Sequence, residues 1–148
     1  MTLVSLSTEY ALRSVVYLAA HGDRSLAATA ISAATAVPSH YLSKLLKGLV
    51  ISGVLTAKRG PGGGFSLACS PDEITVLDIV NAVDPIEHVR RCPLGRDPHG
   101  GVLCPLHRHL EDAIMGVENA LRSATIGELA RALEPSGICP YETETHGC

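Results

Sequence analysis

Between Cys92 and His107 the chain brings together two cysteines and two histidines, Cys92, His99, Cys104 and His107, in the spacing C-x6-H-x4-C-x2-H. Thiolate and imidazole are the donors that zinc and iron–sulfur clusters prefer. Gly95, Gly100 and Gly101 give the intervening backbone freedom to fold around a small centre. Three chemistries are open to such a loop. Cys92 and Cys104 with histidine ligands would hold a 2Fe–2S cluster, whose potential histidine raises and whose reduction it couples to protonation. All four side chains would hold zinc with two thiolates and two imidazoles. Without a metal, Cys92 and Cys104 would form a thiol switch. His88 and His109 flank the loop and read as surface residues. Cys69 reads as a small buried hydrophobe, and Cys139 and Cys148 as inert thiols in a polar tail. A Cys–His nucleophile pair is the enzymatic alternative. No strand–helix frame surrounds either loop cysteine, so the chain is expected not to be an enzyme.

The elements that must position this loop are mostly helical. Ser7 to about His21 carries Tyr10, Leu12, Val15, Val16 and Leu18 at helical spacing, with Ser7 as N-cap and Gly22 as stop. A second helix is expected over 27–36, and Val37-Pro38-Ser39 makes a tight turn. A third, from Ser39 to Ser52, has the apolar stripe Leu42, Leu45, Leu46 and Leu49 and ends at Gly53. Two short helices around a three-residue turn make a helix-turn-helix. Strands at 54–57 and 65–68 flank the turn Lys58-Arg59-Gly60-Pro61-Gly62-Gly63-Gly64, a β-hairpin wing behind the recognition helix. The glycine run is neither a phosphate loop nor a dinucleotide fingerprint, since it lacks the Lys-Ser/Thr and opens no helix.

Thr75-Val-Leu-Asp78 resembles a capping box that opens a short helix to Val83. A longer helix over 106–123 carries Leu110, Ile114, Val117 and Leu121 in steps of 4, 3 and 4, a coiled-coil-like seam suited to a second subunit. Thr125-Ile-Gly-Glu128 opens a last short helix, and a loose tail follows from 134. The expected fold is mainly α with a small β-hairpin wing. Residues 1–84 form a winged helix-turn-helix domain, 85–107 a sensor loop, 108–133 a dimerisation helix and short C-terminal helix, and 134–148 the tail.

The 148 residues carry a net charge of −3, yet from Arg24 to Pro71 there is no Asp or Glu. That window holds Arg24, Lys44, Lys47, Lys58 and Arg59, a local basic surface on an acidic chain and the footprint of one-sided phosphate binding. With one Phe and no Trp the core must be aliphatic, which disfavours sandwiches and barrels. The first residues lack a signal-peptide pattern, and no run reaches the roughly 20 apolar residues that span a bilayer. A cytoplasmic protein is expected, without a membrane partner, in which cysteines serve as thiols or ligands. A protein-interaction module that uses only the 110–121 seam is the competing reading; the basic window and Arg59 favour DNA over it.

Three stretches carry a resemblance: Leu6-Ser-Thr-Glu-Tyr-Ala-Leu-Arg13, Tyr41-Leu-Ser-Lys-Leu-Leu-Lys-Gly-Leu49, and Arg59-Gly-Pro-Gly-Gly-Gly-Phe-Ser-Leu-Ala68 followed by Pro71 to Val80. Over residues 3–133 the chain resembles the bacterial regulators typified by the iron–sulfur cluster regulator IscR and the nitric-oxide-sensing repressor NsrR. The resemblance implies a homodimer on double-stranded operator DNA. His40, Ser43 and Lys44 would face base edges or phosphates, and Lys47 phosphates. Arg59 would enter the minor groove, with Lys58, Gly60 and Gly62 completing the wing contact. It also implies a 2Fe–2S cluster in the Cys92–His107 loop, with Glu9 of the partner subunit as a further ligand, and zinc as the alternative cofactor. Cluster-binding relatives carry three cysteines in this loop. Here only the outer two are kept, and the middle position falls near Pro98, beside His99.

Overall fold

The computed structural model describes residues 4–95 and 104–133. Its elements are α1 (Leu6–Ala20), α2 (Ala28–Thr35), α3 (Ser39–Ile51), β1 (Leu55–Lys58), β2 (Gly64–Leu67), α4 (Val76–Val83), α5 (Pro105–Ser123) and α6 (Ile126–Ala132). The helix-turn-helix, the wing and the long helix all form, within one or two residues of the expected bounds. His99, Cys139, Cys148 and the tail from 134 lie outside the described residues.

α1 begins two residues earlier than expected. Ser5 is its N-cap, with the side-chain oxygen accepting the Thr8 N–H at 3.3 Å. Ser7 is the second helical residue, and its hydroxyl bonds instead to the Tyr41 hydroxyl on α3. The buried face of α1 is Ala11, Val15 and Leu18, with Ser14 tucked among them and donating to the Tyr10 carbonyl at 2.8 Å. That bond back to the preceding turn satisfies a hydroxyl with no solvent. Between α2 and α3 the chain turns at Ala36, the only described non-glycine residue with positive φ (56°). Val37 is then buried, and its carbonyl accepts from the Ser32 hydroxyl at 2.6 Å. The α3 stripe behaves as its spacing demands, since Leu42, Leu46 and Leu49 are fully enclosed. Each contributes on the order of 1.5–3 kcal/mol by leaving water.

β1 and β2 pair antiparallel in the register Leu55↔Leu67 to Lys58↔Gly64. Leu26, just before α2, adds a rung: its N–H donates to the Phe65 carbonyl at 2.9 Å and its carbonyl accepts the Phe65 N–H at 2.8 Å. This contact ties the wing to the helix-turn-helix and dictates two glycines. A Cβ on Gly64 (φ 146°) would lie 2.3 Å from the Leu26 carbonyl oxygen, and one on Gly63 would lie 2.3 Å from that of Lys58. Gly60 and Gly62, by contrast, take φ of 92° and 71° in open space at the wing tip. Conformation requires glycine there, whereas close approach requires it at 63 and 64.

The capping box at α4 is complete, with Thr75 and Asp78 each accepting from the other's backbone N–H. At α6 the Thr125 hydroxyl oxygen accepts from the Glu128 N–H. The two helix entries lie side by side: the Val76 N–H donates to Ala124 and the Ile126 N–H to Ile74. Ile126 is fully buried, and α6 packs on α1. Grouped by sequence with the dimerisation helix, α6 therefore joins the winged-helix core, because Ile126 and Leu129 have an apolar face to satisfy. The chain travels outward along α5 and returns. α5 itself buries no residue and packs on α4. Among the described residues no helix is long and apolar enough to cross a membrane.

Candidate DNA-reading face and thiol pair

While the leucines of α3 point inward, His40, Ser43, Lys44 and Lys47 stand exposed on its other side. Their spacing of 3, 1 and 3 residues gathers them on one helical face. Ser43 donates to the Ser39 carbonyl at 3.1 Å, so its lone pairs still face outward. Lys58 and Arg59 are exposed at the end of β1, next to the left-handed glycines Gly60 and Gly62. Helix face and wing are thus both cationic, in a stretch from 24 to 71 without a carboxylate. Tyr41 fixes α3 against α1: its ring meets Tyr10 edge-on at 5.6 Å, and its hydroxyl bonds Ser7. Arg13 covers the Tyr10 ring at 5.7 Å and reaches Glu9 at 4.0 Å. Glu9, the expected cross-subunit ligand, is therefore engaged by Arg13 on its own helix.

Cys92 and Cys104 come together, Sγ to Sγ at 3.3 Å, with both side chains partly buried. Cys104 is the N-cap of α5. Its sulfur accepts the His107 N–H at 3.3 Å, and Pro105 occupies the first helical position, where no N–H is needed. The residues expected to accompany the thiols are less concentrated. His107 is partly buried and lies one turn before Glu111 on α5. His99 lies outside the described residues. Among the described residues no three Cys, His, Asp or Glu side chains converge as a metal site. Two thiols nevertheless fit one edge of a tetrahedral metal. Metal–sulfur bonds of about 2.3 Å put two thiolates about 3.8 Å apart, within about half an ångström of the observed separation.

Cys69 departs from expectation. It lies just after β2, but it is exposed in the bend there rather than buried. Partial desolvation first, then the neighbouring charges of Glu73 and Asp78, push its thiol up and keep it protonated. His109 is exposed as expected. His88 is exposed too, but it is held. Its Nδ1 bonds the Glu111 carboxylate, its Nε2 lies 3.2 Å from Glu118, and the Val89 N–H donates to the second Glu111 oxygen at 3.2 Å. The hydrogen bond and charge of Glu111, reinforced by Glu118, hold the His88 pKa above its ordinary value. The same bond holds Glu111 below its own. The sequence carried one sign of this clamp, two glutamates seven residues apart on a helix beside a loop histidine.

A family model described as an iron-dependent transcriptional regulator, Rrf2, matches residues 4–132. The chain belongs to the Rrf2 family. Among Rrf2-type relatives, the transcriptional regulator IscR of Vibrio atlanticus is 30% identical over 123 residues, covering 82% of this chain and 71% of that protein. IscR of Aliivibrio salmonicida is 31% identical over 121 residues, covering 81% and 72%. Among solved structures, CymR, the global cysteine regulator of B. subtilis, superposes with a TM-score of 0.73 at 24% identity, covering 90% of this chain and all of that one. T. potens IscR does so with 0.72 at 22%, covering 93% of each. These likenesses establish a winged-helix Rrf2 regulator of transcription.

Proposed function

We propose that this Rrf2 regulator binds operator DNA as a homodimer and that the state of the Cys92–Cys104 pair controls that binding. The observation that carries the reading is the 3.3 Å approach of the two sulfurs at the N-cap of α5. A metal-ligating pair thereby sits at the root of the helix whose seam, Leu110, Ile114, Val117 and Leu121, has no buried member in a single chain. A partner α5 would cover that seam and set the distance between two recognition helices, and half-site spacing makes DNA affinity sensitive to that distance. His40, Ser43, Lys44 and Lys47 on α3, with Lys58, Arg59 and the Gly60–Gly62 tip, would touch bases and phosphates.

A 2Fe–2S cluster is the preferred occupant, in keeping with a family described as iron-dependent and with IscR among the relatives. Cys92 and Cys104 would hold it, with His107, His99 or Glu9 of the partner subunit as further ligands. The cluster would supply one-electron redox chemistry and reactivity toward nitric oxide. Zinc on the same residues would give a structural site instead. Cys104 would keep its sulfur oriented through the His107 N–H, and Arg13 would govern whether Glu9 can be shared. A second reading, a thiol switch without metal, is favoured by the sulfur separation itself. Closing 3.3 Å to a disulfide of about 2.05 Å brings the sulfurs only about an ångström closer.

Anaerobic purification with an absorption spectrum and iron, sulfide and zinc analysis separates these. Visible absorption with matching iron and sulfide, lost in Cys92→Ala and Cys104→Ala, is the expected result. Colourless protein with stoichiometric zinc overturns the cluster, and neither metal after reconstitution leaves the thiol switch. Operator binding unaffected by cluster loss, zinc removal or oxidation would end the sensing reading altogether.

A further inference from the structure

The segment from Asp84 to Cys92 has no helix or strand of its own, yet it delivers Cys92 to the start of α5. Ile86 anchors its first half against the core. Its second half meets α5 at His88 and Val89, where Glu111 accepts from both the His88 ring and the Val89 N–H while Glu118 takes the other ring nitrogen. The two glutamates are seven residues apart, two helical turns on one face. The ring therefore spans two carboxylates rather than lending one nitrogen to a metal. Only an imidazolium can donate to both, since the neutral ring has one N–H.

We propose that His88 is a positioning residue for the sensor thiols: gripped between Glu111 and Glu118, its doubly protonated ring keeps Cys92 beside Cys104 and releases it on losing a proton. The inference rests on the thiol pair being the sensor proposed above, and it adds proton control to it. The titratable and charged groups on the elements around the ring are Glu111 and Glu118 on α5, with His107 one turn before Glu111; Asp84 at the end of α4; and Glu87, Arg90 and Arg91 on the segment itself. The two α5 carboxylates touch it. Their effect is to favour the second proton, in agreement with the raised His88 pKa.

The test uses the full-length chain, stripped of metal and equilibrated with mixtures of glutathione and glutathione disulfide from pH 6 to 9. Forming the Cys92–Cys104 bond releases two protons and two electrons. The electrons cleave the S–S bond of one glutathione disulfide, which leaves as two thiols carrying the protons. Alkylation and peptide mapping give the exchange constant. At pH 6 the wild type should exceed His88→Gln about threefold, and Glu118→Gln by less, with the gap closing by pH 9. Taking the ratio of wild type to variant removes the pH dependence of the thiols themselves. Asp112→Asn, an exposed charge loss elsewhere on α5, should change nothing, and circular dichroism should show all four chains equally helical. Equal constants at every pH, an Asp112→Asn effect as large as Glu118→Gln, or a wild type that never forms this disulfide would each overturn the proposal. If the clamp variants shift the constant but oxidation leaves operator affinity unchanged, His88 positions the pair and the sensing reading falls instead.

Discussion

The winged-helix body and α5 are built on opposite principles. In the body every helix sinks a stripe into one shared core, from Ala11, Val15 and Leu18 of α1 to Ile79 of α4 and Ile126 of α6. α5 has the same aliphatic alphabet at heptad spacing but buries nothing, and Leu106, Leu110 and Met115 remain exposed. The first region is closed around its own core. The second leaves much of its apolar seam uncovered, and it is tied to the rest of the molecule by Glu111 and Glu118 and by Leu121 against the core. Apolar periodicity alone therefore does not tell core from interface. What separates them is whether opposing elements exist to fill the other side.

Substitutions at matched leucines give the largest separation. Leu46→Ala, in the body, should destabilise folding by about 2–5 kcal/mol, read from urea unfolding. Leu110→Ala should leave the stability of dilute protein nearly unchanged, since Leu110 is 39% exposed. It should instead weaken self-association, and Leu110→Asp should abolish it, as measured by sedimentation. If Leu110→Ala unfolds the dilute chain as readily as Leu46→Ala, the two regions do not differ as described.

Next in size is DNA binding, which the proposed reading assigns to the body. Arg59→Ala should lose about 1–3 kcal/mol of operator affinity and relax the sequence preference at the minor-groove position. Lys47→Ala should weaken all sequences alike and reduce the salt slope by about one. Anisotropy titrations at several salt concentrations distinguish them. An Arg59→Ala chain that binds its operator normally would remove the wing from the interface. A smaller effect is expected at the α4 cap: Thr75→Ala should cost about 1 kcal/mol, because its hydroxyl oxygen satisfies the Asp78 N–H and Asp78 answers in kind.

Much of the body was legible in the sequence because several signals agreed there. Leu42, Leu45, Leu46 and Leu49 have one helical solution, and Thr75 with Asp78 has one capping solution. The glycines between two short apolar runs have one hairpin solution. Where local signals competed, reading failed. Ser5 and Ser7 both offer an N-cap, and only Tyr41, thirty-four residues away, decides between them by engaging Ser7. Cys69 read as a small buried hydrophobe because its residue type favours burial, yet the bend after β2 leaves it exposed. At the candidate sensor the sequence singled out Cys92 and Cys104, and the fold brings these two together. The His88 clamp was not, because a histidine and two glutamates 23 and 30 residues onward become neighbours only once α5 folds back beside the segment.

The clamp also gives the finest test of the contrast between body and α5. His88 has its pKa raised by Glu111 and Glu118, so its stabilising contribution is full below the unfolded value of about 6.5 and is lost as pH rises through the higher folded value. Glu111 is depressed, so its side of the bond holds above the unfolded carboxylate value of about 4.3 and is lost as pH falls through the lower folded one. The clamp is thus complete between those limits, in mildly acid solution. Subtracting the melting temperature of His88→Gln from that of the wild type should leave about 2 °C at pH 6 and nothing at pH 9. The same subtraction for Thr75→Ala, whose cap lies in the body and whose donors are backbone amides, should be flat over that range. A His88 difference that is equally flat would mean that the segment before Cys92 is held by packing, as the body is, and that α5 has no proton-dependent attachment to it.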